Sequence, residues 1–442
     1  MEALGYTVGI YTLGCKVNQY ESEAIAERFE ALGFRVLKPT DVCDIYIINT
    51  CTVTAESDRK ARQFIRRAIH KNPNAYILVT GCFSQTAPED VALIEGVDYI
   101  CGNANKQSVV EEALRLCEDG SKPQKPQICC PPPDSEGFER MCISHFGRTR
   151  AYIKIEDGCE SHCTYCIIPA ARGSIRSKAP EDVLEEVRAL TAGGCREIVL
   201  TGIETASYGK DLGGYGLADL LEEIDQIPNI GRVRLGSLDP SLFKQPFVDR
   251  IAAIKSLAPH FHLSMQSGSD KILALMKRKY NRRMALDAMK RLRAAIPNVQ
   301  FTTDMIVGFP EEGENEFADT LAFAEEAEFL MIHVFPYSKR RGTPAAVMAG
   351  QIPETVKHER VKLLSEKEAA IRRRILERQT GEIVDVLFES DQNGIASGHT
   401  KNFIEVACPS PTPLQGFERS VRIDSHDGML CMGTLYDTDK KI

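Results

Sequence analysis

The sequence predicts an α/β protein in three parts: an N-terminal doubly wound parallel sheet, a central (βα)6 partial barrel and a small C-terminal β-barrel. Short apolar runs alternate with longer amphipathic segments through the first 117 residues, a pattern typical of parallel strands joined by helices. The same alternation resumes with longer periods from about residue 150 to residue 345. After Gly381 it changes to short strands separated by turn residues, which predicts an all-β module.

Length and composition set further bounds on the class of protein. A chain of 442 residues predicts about three domains. The net charge of −8 argues against a uniformly basic nucleic-acid coat protein, although it leaves room for a local basic patch. The 43% hydrophobic content is enough for folded cores. The N-terminus has no signal-peptide pattern, and no apolar run approaches the ~20 residues of a membrane helix, so we predict a cytoplasmic protein.

The N-terminal part is predicted to span residues 1–117, with four strands separated by helices. The predicted strands are TVGIYTLG, DIYIINT, AYILVTG and VDYICG. A polar, proline-rich stretch follows, and residues 118–144 are predicted to be a linker.

The central part is predicted to span residues 145–376 and to contain six strands, each joined to the next by a helical crossover. These strands are AYIKIED, EIVLTG, RVRLGSL, HFHLSMQ, VQFTTDMIVG and MIHVFPYS. A six-fold wrap is an incomplete relative of the eight-fold barrel, in which the chemistry lies at the C-terminal ends of the strands. Residues 377–442 are predicted to form a β-barrel of about 60 residues, a size that often binds oligonucleotides.

Fifteen cysteines are the unusual feature of the composition. Because the number is odd and the chain is long, a disulfide-stapled fold is a poor interpretation, and grouped cysteines in a reducing compartment indicate metal or redox chemistry. Cys159, Cys163 and Cys166 follow the first strand of the central wrap with the spacing C-x3-C-x2-C. Three thiolates on one loop can hold three irons of a [4Fe–4S] cluster and leave the fourth iron open. The alternatives are a zinc site, with His162 as a further ligand, or cysteines that only pack in the interior.

The C-x3-C-x2-C loop, with the aromatic Tyr165 before its last cysteine, resembles that of the radical S-adenosylmethionine superfamily. The resemblance implies that the open iron binds S-adenosylmethionine and that an electron from the cluster cleaves it to a 5′-deoxyadenosyl radical. The predicted six-fold wrap agrees with the core of that superfamily. Gly202 and Glu204, at the end of the EIVLTG strand, are candidate cofactor contacts, with a plain turn as the alternative. Gly308 in IVGFP is a third candidate, because glycine lets the backbone approach the adenine.

A second group of cysteines, Cys15, Cys51 and Cys82, is spread along the N-terminal part, and each member directly follows a predicted strand. Residues just past the ends of parallel strands converge on one edge of the sheet, where ligands bind. The pattern therefore predicts a second cluster. The alternative is that these are small buried residues, as expected for Cys43 and Cys101, and Cys101 also ends a predicted strand.

The segments LGCKVNQYES, INTCTVTAESDRK and TGCFSQ resemble the three cysteine blocks of the methylthiotransferase family. The resemblance covers nearly the whole chain apart from the predicted linker. It implies an auxiliary [4Fe–4S] cluster, again with an open iron, held by Cys15, Cys51 and Cys82. The chain departs from the family pattern at Met265 and at Glu311–Glu312, near the expected cofactor pocket.

The block LGCKVNQYES is most similar to the branch that acts on threonylcarbamoyladenosine next to the anticodon of tRNA. This similarity implies replacement of the C–H bond at carbon 2 of the adenine by C–S–CH3, with two S-adenosylmethionine molecules and cluster-bound sulfur. The implied partners are the tRNA anticodon stem-loop, a flavodoxin-like or other electron donor, and a sulfur donor. Isopentenyladenosine tRNA, a ribosomal protein, and a non-catalytic iron–sulfur or zinc RNA-binding role remain as alternatives.

The C-terminal module resembles the TRAM domain, an RNA-binding appendage. Basic clusters at 277–283, 339–341 and 357–378 are candidates for phosphate contacts. The last of these is a predicted helix with eight Lys or Arg and four Glu. For each cluster the alternative is a solvated helix face.

Overall fold

The computed structural model describes residues 5–147 and 149–436, and its N-terminal part is a six-stranded parallel sheet. The strands are β1 (Thr7–Thr12), β2 (Arg35–Leu37), β3 (Ile45–Thr50), β4 (Tyr76–Gly81), β5 (Tyr99–Cys101) and β6 (Gln127–Cys129). They lie in the order β2-β1-β3-β4-β5-β6. The four central strands are the predicted ones, and β2 and β6 add an edge strand on each side.

Strand β6 comes from the segment predicted to be a linker, residues 118–144. It pairs with β5, with Cys129 opposite Cys101. Met141 and Ile143, further along the same segment, are buried in the core of the central part. This part of the predicted linker is therefore structural. A three-residue strand is too short to show the alternation by which strands are recognised in a sequence.

Helices cover both faces of the sheet, as predicted for a doubly wound fold. They are α1 (Lys16–Ala31), α2 (Ala55–Lys71), α3 (Cys82–Thr86), α4 (Pro88–Ala92) and α5 (Ser108–Asp119). Ile47 packs in the core beneath α1 and α5, whereas its neighbour Ile48 packs in the core beneath α2. Strands β3 and β4 are fully buried, which explains their continuous apolar sequences.

The central part is the predicted six-fold wrap. Its strands are β7 (Arg150–Lys154), β8 (Glu156–Asp157), β9 (Arg176–Ser177), β10 (Glu197–Thr201), β11 (Arg232–Leu235), β12 (Ser237–Leu238), β13 (His260–Gln266), β14 (Gln300–Val307) and β15 (Met331–Pro336). Strands β11 and β12 are one strand interrupted at Gly236, so β7-β10-β11 and β12-β13-β14-β15 form a continuous parallel wrap. The short strands β8 and β9 pair with each other beside it.

The helices of the central part lie between and after the strands of the wrap along the chain. They are α6 (Ile168–Arg172), α7 (Pro180–Ala192), α8 (Leu217–Asp225), α9 (Gln245–Ala252), α10 (Asp270–Leu275), α11 (Arg282–Ala295), α12 (Glu314–Ala327) and α13 (Glu354–Glu377). Three short 3-10 helices lie at Thr205–Ser207, Pro240–Leu242 and Pro344–Val347. In the part of the chain that the structure describes, no helix is long and apolar enough to cross a membrane.

The C-terminal part is a closed five-stranded barrel, as predicted. Its strands are β16 (Ile383–Gln392), β17 (Ile395–Thr400), β18 (Glu405–Pro409), β19 (Glu418–His426) and β20 (Cys431–Leu435). Strand β17 was not predicted. Asn393 and Gly394, both with positive φ, turn the chain from β16 into β17, and Asn-Gly is a strong hairpin signal in a sequence. The end of the predicted strand MGTLYDT lies outside the described residues.

The small barrel seals the N-terminal end of the central wrap. Arg232, at the start of β11, donates a 2.8 Å hydrogen bond to the His399 carbonyl of β17. The Phe403 ring stacks on His260, at the start of β13, with ring centroids 4.4 Å apart. The C-terminal strand ends, where the chemistry of such wraps lies, are at the opposite end.

Candidate active site between two cysteine triads

The structure brings the ends of β1, β3 and β4 together at one edge of the N-terminal sheet, with Cys15, Cys51 and Cys82 just beyond them. Two glycines permit this close approach. A Cβ added at Gly14 (φ +98°) would lie 2.7 Å from Cys51 Sγ. A Cβ added at Gly81 (φ +103°) would lie 2.3 Å from the carbonyl oxygen of Thr50, at the end of β3. Only glycine fits at both positions, because each combines a positive φ with no room for a side chain.

The three thiols of this N-terminal triad also interact electrostatically. Burial, together with the neighbouring Cys82 and Cys15 thiols, raises the pKa of Cys51 to about 12. Cys15 is accessible to solvent, but protein encloses it on most sides and this enclosure raises its pKa, while the positive charge of Arg172 opposes the shift. The thiols therefore share one site beside a fixed positive charge. Thiolate–metal bonding reverses such a shift, because a coordinated thiol is deprotonated.

The second triad lies on the loop between β8 and α6. The Cys159 amide donates a 2.9 Å hydrogen bond to the Gly173 carbonyl, and the Cys166 amide donates a 3.0 Å bond to the Cys163 carbonyl. The loop is also fixed from outside, since the Thr164 amide donates to the Met276 carbonyl at 3.2 Å. Cys163 is buried, and Cys159 and Cys166 are partly exposed. Hydrogen bonds thus fix the loop at the C-terminal end of the wrap, where it was predicted to lie.

Arg278 is a residue of this site that the sequence did not reveal. Its Nη1 lies 3.2 Å from Cys163 Sγ, and its Nη2 lies 3.1 Å from a carboxylate oxygen of Asp239. The sequence places Arg278 in the basic segment 277–283, a candidate for phosphate contacts with a solvated helix face as the alternative. Arg278 fits neither interpretation, because its side chain is 9% exposed and turned towards the cysteine loop. No spacing rule separates one inward-facing arginine from its basic neighbours.

Glu204 and Gly202 stand beside the cysteine loop. Ser161 Oγ donates to Glu204 Oε2 at 3.0 Å, and the Cys159 thiol lies 3.2 Å from the same oxygen. The Glu204 amide donates to buried Glu156 at 2.8 Å, and a Cβ on Gly202 would lie 2.5 Å from that carboxylate. Burial raises the pKa of Glu156 well above its usual value. The structure places both predicted residues at the site, and their contact with a cofactor stays a prediction.

Tyr165 and Gly308 lie on the other side of the loop. Tyr165 packs on a small apolar cluster that includes Phe309 and Tyr337, and burial raises its pKa. Gly308 has a φ of +71°, and an added Cβ would lie 2.3 Å from Lys357 Cγ. Close packing against Lys357 therefore already requires glycine at this position. The predicted approach of the Gly308 backbone to an adenine stays a prediction.

The two triads face each other. Helix α3, which begins at Cys82, packs against α6, which follows the cysteine loop. Asn103 joins them, since its Nδ2 lies 3.5 Å from Cys82 Sγ and donates to the Ala171 carbonyl at 2.8 Å. Burial, together with the Cys163 and Cys82 thiols, raises the pKa of Cys166 to about 11. The two triads are thus neighbours at the junction between the N-terminal and central parts, and we call the space between them the cleft.

A buried charge network lies behind this cleft. Arg172, at the end of α6, donates to Glu21 of α1 at 2.9 Å and to Asp157 at 3.0 Å. Lys106 and Lys154 also pair with Glu21, and the side chains of all five residues are at most 4% exposed. These charges join the N-terminal sheet to the central wrap, and the network carries one more positive charge than negative.

A third connection runs along the segment after β15. Arg340 donates to Thr52 at 2.6 Å and to Asp58 at 2.7 Å, and the Ala55 amide donates to Ser338 Oγ at 3.1 Å. This segment ties the loop after Cys51 to the central wrap. Arg340 belongs to the cluster 339–341, a candidate for phosphate contacts with a solvated face as the alternative. Arg340 fits neither interpretation, because it is buried in an ion pair, whereas its two neighbours are exposed.

The basic helix predicted at 357–378 also differs from its expected role. Lys357, Arg360 and Arg372 are buried, and Arg360 pairs with Glu312 at 2.9 Å. Lys367 and Arg374 both pair with Glu325 of α12. Most basic side chains of α13 are therefore buried or paired with carboxylates of the protein, because its neighbour α12 is acidic. The charge count of the helix alone could not reveal these partners.

The residues of the cleft fit iron–sulfur clusters. Each triad supplies three thiols, the ligands that such clusters take, and Arg278 and Asn103 point N–H groups at sulfur, which tunes a cluster. Within the described ranges 5–147 and 149–436, no three His, Cys, Asp or Glu side chains are close enough to share one metal ion. Cysteines of a four-iron cluster bind different irons, so they stand further apart than the ligands of one tetrahedral zinc.

A six-fold parallel wrap with a C-x3-C-x2-C loop at its C-terminal end defines the class, and family models agree. Residues 153–324 match the radical SAM superfamily, and residues 7–102 match the uncharacterized protein family UPF0004. In overall fold the chain is similar to the radical S-adenosylmethionine methyltransferase TsrM from Kitasatospora setae. The TM-score is 0.56 at 15% identity, over 88% of this chain and 80% of that one.

Curated relatives identify the family. The chain is 38% identical to the threonylcarbamoyladenosine tRNA methylthiotransferase MtaB of Bacillus subtilis, over 94% of this chain and 93% of the relative. It is 40% identical to the enzyme of that name from Thermotoga maritima, over 90% of each chain. It is 35% identical to the tRNA-2-methylthio-N(6)-dimethylallyladenosine synthase of Staphylococcus haemolyticus, over 95% and 83%. The chain belongs to the tRNA methylthiotransferase family of radical S-adenosylmethionine enzymes.

Proposed function

We propose that the protein converts threonylcarbamoyladenosine next to the anticodon of tRNA into its 2-methylthio derivative. One observation carries the proposal: two thiol triads face each other across one cleft, joined by Asn103. The relatives named for this reaction match over about nine-tenths of the chain and support the same conclusion. Replacing a non-acidic C–H bond by a C–S bond needs both a hydrogen-abstracting centre and a sulfur-bearing centre close to one substrate atom.

We propose that each triad holds one [4Fe–4S] cluster, with Cys159, Cys163 and Cys166 holding one and Cys15, Cys51 and Cys82 the other. When bound, the clusters and two S-adenosylmethionine molecules supply the electron, radical, sulfur and methyl chemistry that side chains lack. Tyr165, Gly202, Glu204 and Gly308 are the proposed cofactor contacts. Among these, Glu204 presents a carboxylate beside Cys159, where an ammonium group of a ligand could donate to it.

Two arginines place positive charges beside the thiols that would hold the clusters. Arg278 places a guanidinium against Cys163, and Arg172 places one near Cys82 and Cys15. Fixed positive charges stabilise thiolates and the net negative charge of thiolate-bound clusters. Asp239 and Glu21 hold these two arginines in place through hydrogen bonds, so the charges do not have to reorganise during the reaction.

The other partners follow from the reaction. The substrate is the anticodon stem-loop of tRNA, so we place the protein in the cytoplasm. A flavodoxin-like or other electron donor must reduce the clusters, and a sulfur donor must replace the sulfur consumed. We propose domain boundaries of 1–117, 145–376 and 377–442, with residues 118–144 connecting the first two domains through strand β6.

Isopentenyladenosine tRNA is the second candidate substrate, because relatives named for that reaction match the chain at 34% to 35% identity. The test is mass spectrometry of tRNA nucleosides from a strain that lacks the gene and from the same strain carrying it on a plasmid. We expect 2-methylthio-threonylcarbamoyladenosine to disappear and to return with the plasmid. Loss of the methylthio form of isopentenyladenosine instead would move the assignment to the second candidate.

A further inference from the structure

Helix α2 carries a row of basic residues to which the proposed function assigns no role. It starts four residues after Cys51 and contains six Lys or Arg but only two acidic residues, in a chain whose net charge is −8. Its buried face consists of Ala61, Ile65 and Ala68. The exposed face carries Lys60, Arg66, Arg67 and Lys71, which we call the basic stripe.

The charges of the basic stripe are available to a partner. Within residues 5–147 and 149–436, no carboxylate lies within 4.0 Å of any of the four side-chain cations. Both acidic residues of the helix are already paired, Glu56 with Arg59 and Asp58 with Arg340. In α13, by contrast, buried contacts and acidic neighbours use much of the positive charge.

The basic stripe is also regularly spaced. Lys60, Arg67 and Lys71 follow one another at i, i+7 and i+11, so they lie along one line of the helix, whereas Arg66 lies about a third of a turn away on the exposed side. The row from Lys60 to Lys71 is about 16 Å long. A straight row of unpaired cations of this length matches the backbone of a nucleic-acid strand, which presents phosphates at regular intervals.

The position of the stripe points to the same partner. The first residue of α2, Ala55, is hydrogen-bonded to Ser338, so the helix begins where the segment after β15 meets the loop after Cys51. Exposed Lys339 and Arg341 extend the positive charge at the near end. The small barrel lies at the opposite end of the central wrap, against His260 and Arg232. The stripe therefore starts closer to the two triads than the small barrel does.

We propose that the basic stripe of α2 binds backbone phosphates of the anticodon stem while the modified adenine occupies the cleft. The inference rests on the proposed function, because it takes the substrate to be an RNA hairpin. The contacts are to phosphates, so they position the RNA without reading its sequence.

The test compares RNA binding by reconstituted full-length variants over a range of salt concentrations. The variant K60A/R67A/K71A removes the charges on one line of the stripe, and K60R/R67K/K71R keeps them. The control R188A/K244A/K290A removes three exposed cations from the outside of the central wrap that have no ion-pair partner among the described residues. The probe is a threonylcarbamoyl-modified anticodon stem-loop, and iron content checks that each variant is loaded.

We expect K60A/R67A/K71A to lower the slope of log K against log salt by about 2 to 3 and to weaken binding at least about tenfold. The charge-retaining variant and the control should bind like the wild type. Wild-type slope and affinity in K60A/R67A/K71A, with an active wild type, would overturn the inference and leave the proposed function intact. If the wild type neither binds nor modifies the stem-loop, the proposed function fails, and the inference with it.

Discussion

Replacing the N-terminal triad by alanine, in C15A/C51A/C82A, is expected to abolish methylthiolation while S-adenosylmethionine is still cleaved. The two triads lie on different parts of the chain, and the loop of Cys159 is held by Gly173 and Met276 of the central part. Loss of the N-terminal thiols therefore leaves the second site intact. We expect about four irons per chain instead of about eight, continued formation of 5′-deoxyadenosine, and no methylthio product by mass spectrometry.

The matched control is C43A/C101A/C117A, which removes three other buried thiols from the same N-terminal part. Cys101 is the informative member, because it also ends a strand but lies within the core beneath α1 and α5. This control should retain about eight irons and full product formation. Equal iron loss in both variants would contradict the assignment of the triad, since removal of any buried thiol would then have the same effect.

The second large effect is expected from Arg172→Met. This guanidinium donates to Glu21, Asp157 and Asn18 and is fully buried. Methionine has a similar size but leaves two buried carboxylates with fewer partners, a change that destabilises proteins by about 3–5 kcal/mol. Because the network joins the N-terminal and central parts, the apparent midpoint of thermal unfolding of the holoenzyme under anaerobic conditions should fall markedly.

Arg250→Met is the control for that experiment. Arg250 also binds two carboxylates, Asp219 and Glu222, but it is 40% exposed. Exposed ion pairs contribute about 0–1 kcal/mol to the free energy of unfolding, so the thermal midpoint of this variant should shift only slightly. If the two variants shifted the midpoint equally, Arg172 would not stabilise the junction between the two parts.

Features with a local signature could be predicted from the sequence. Cys15, Cys51 and Cys82 each follow an apolar strand, and convergence follows from the geometry of parallel sheets. The Asn393–Gly394 pair is also a local signature, because Asn-Gly is a hairpin signal and β17 directly follows it.

Side-chain partners could not be predicted, because they depend on which elements meet in space. Arg278 and Arg340 look like members of basic clusters, yet one faces Cys163 and the other pairs with Asp58. Lys357 and Arg360 are buried for the same reason. Conversely, the basic stripe is available to a partner because both acidic residues of α2 pair elsewhere, which the sequence of the helix does not show.

The most direct test of the central claim is methylthiolation in vitro by the anaerobically reconstituted enzyme. The substrates are an anticodon stem-loop carrying threonylcarbamoyladenosine and, in parallel, the same RNA carrying isopentenyladenosine. We predict that S-adenosylmethionine and a reductant convert the first RNA to the 2-methylthio nucleoside and leave the second unchanged. Methylthiolation of the isopentenyl RNA alone, or of neither RNA while 5′-deoxyadenosine accumulates, would contradict the account.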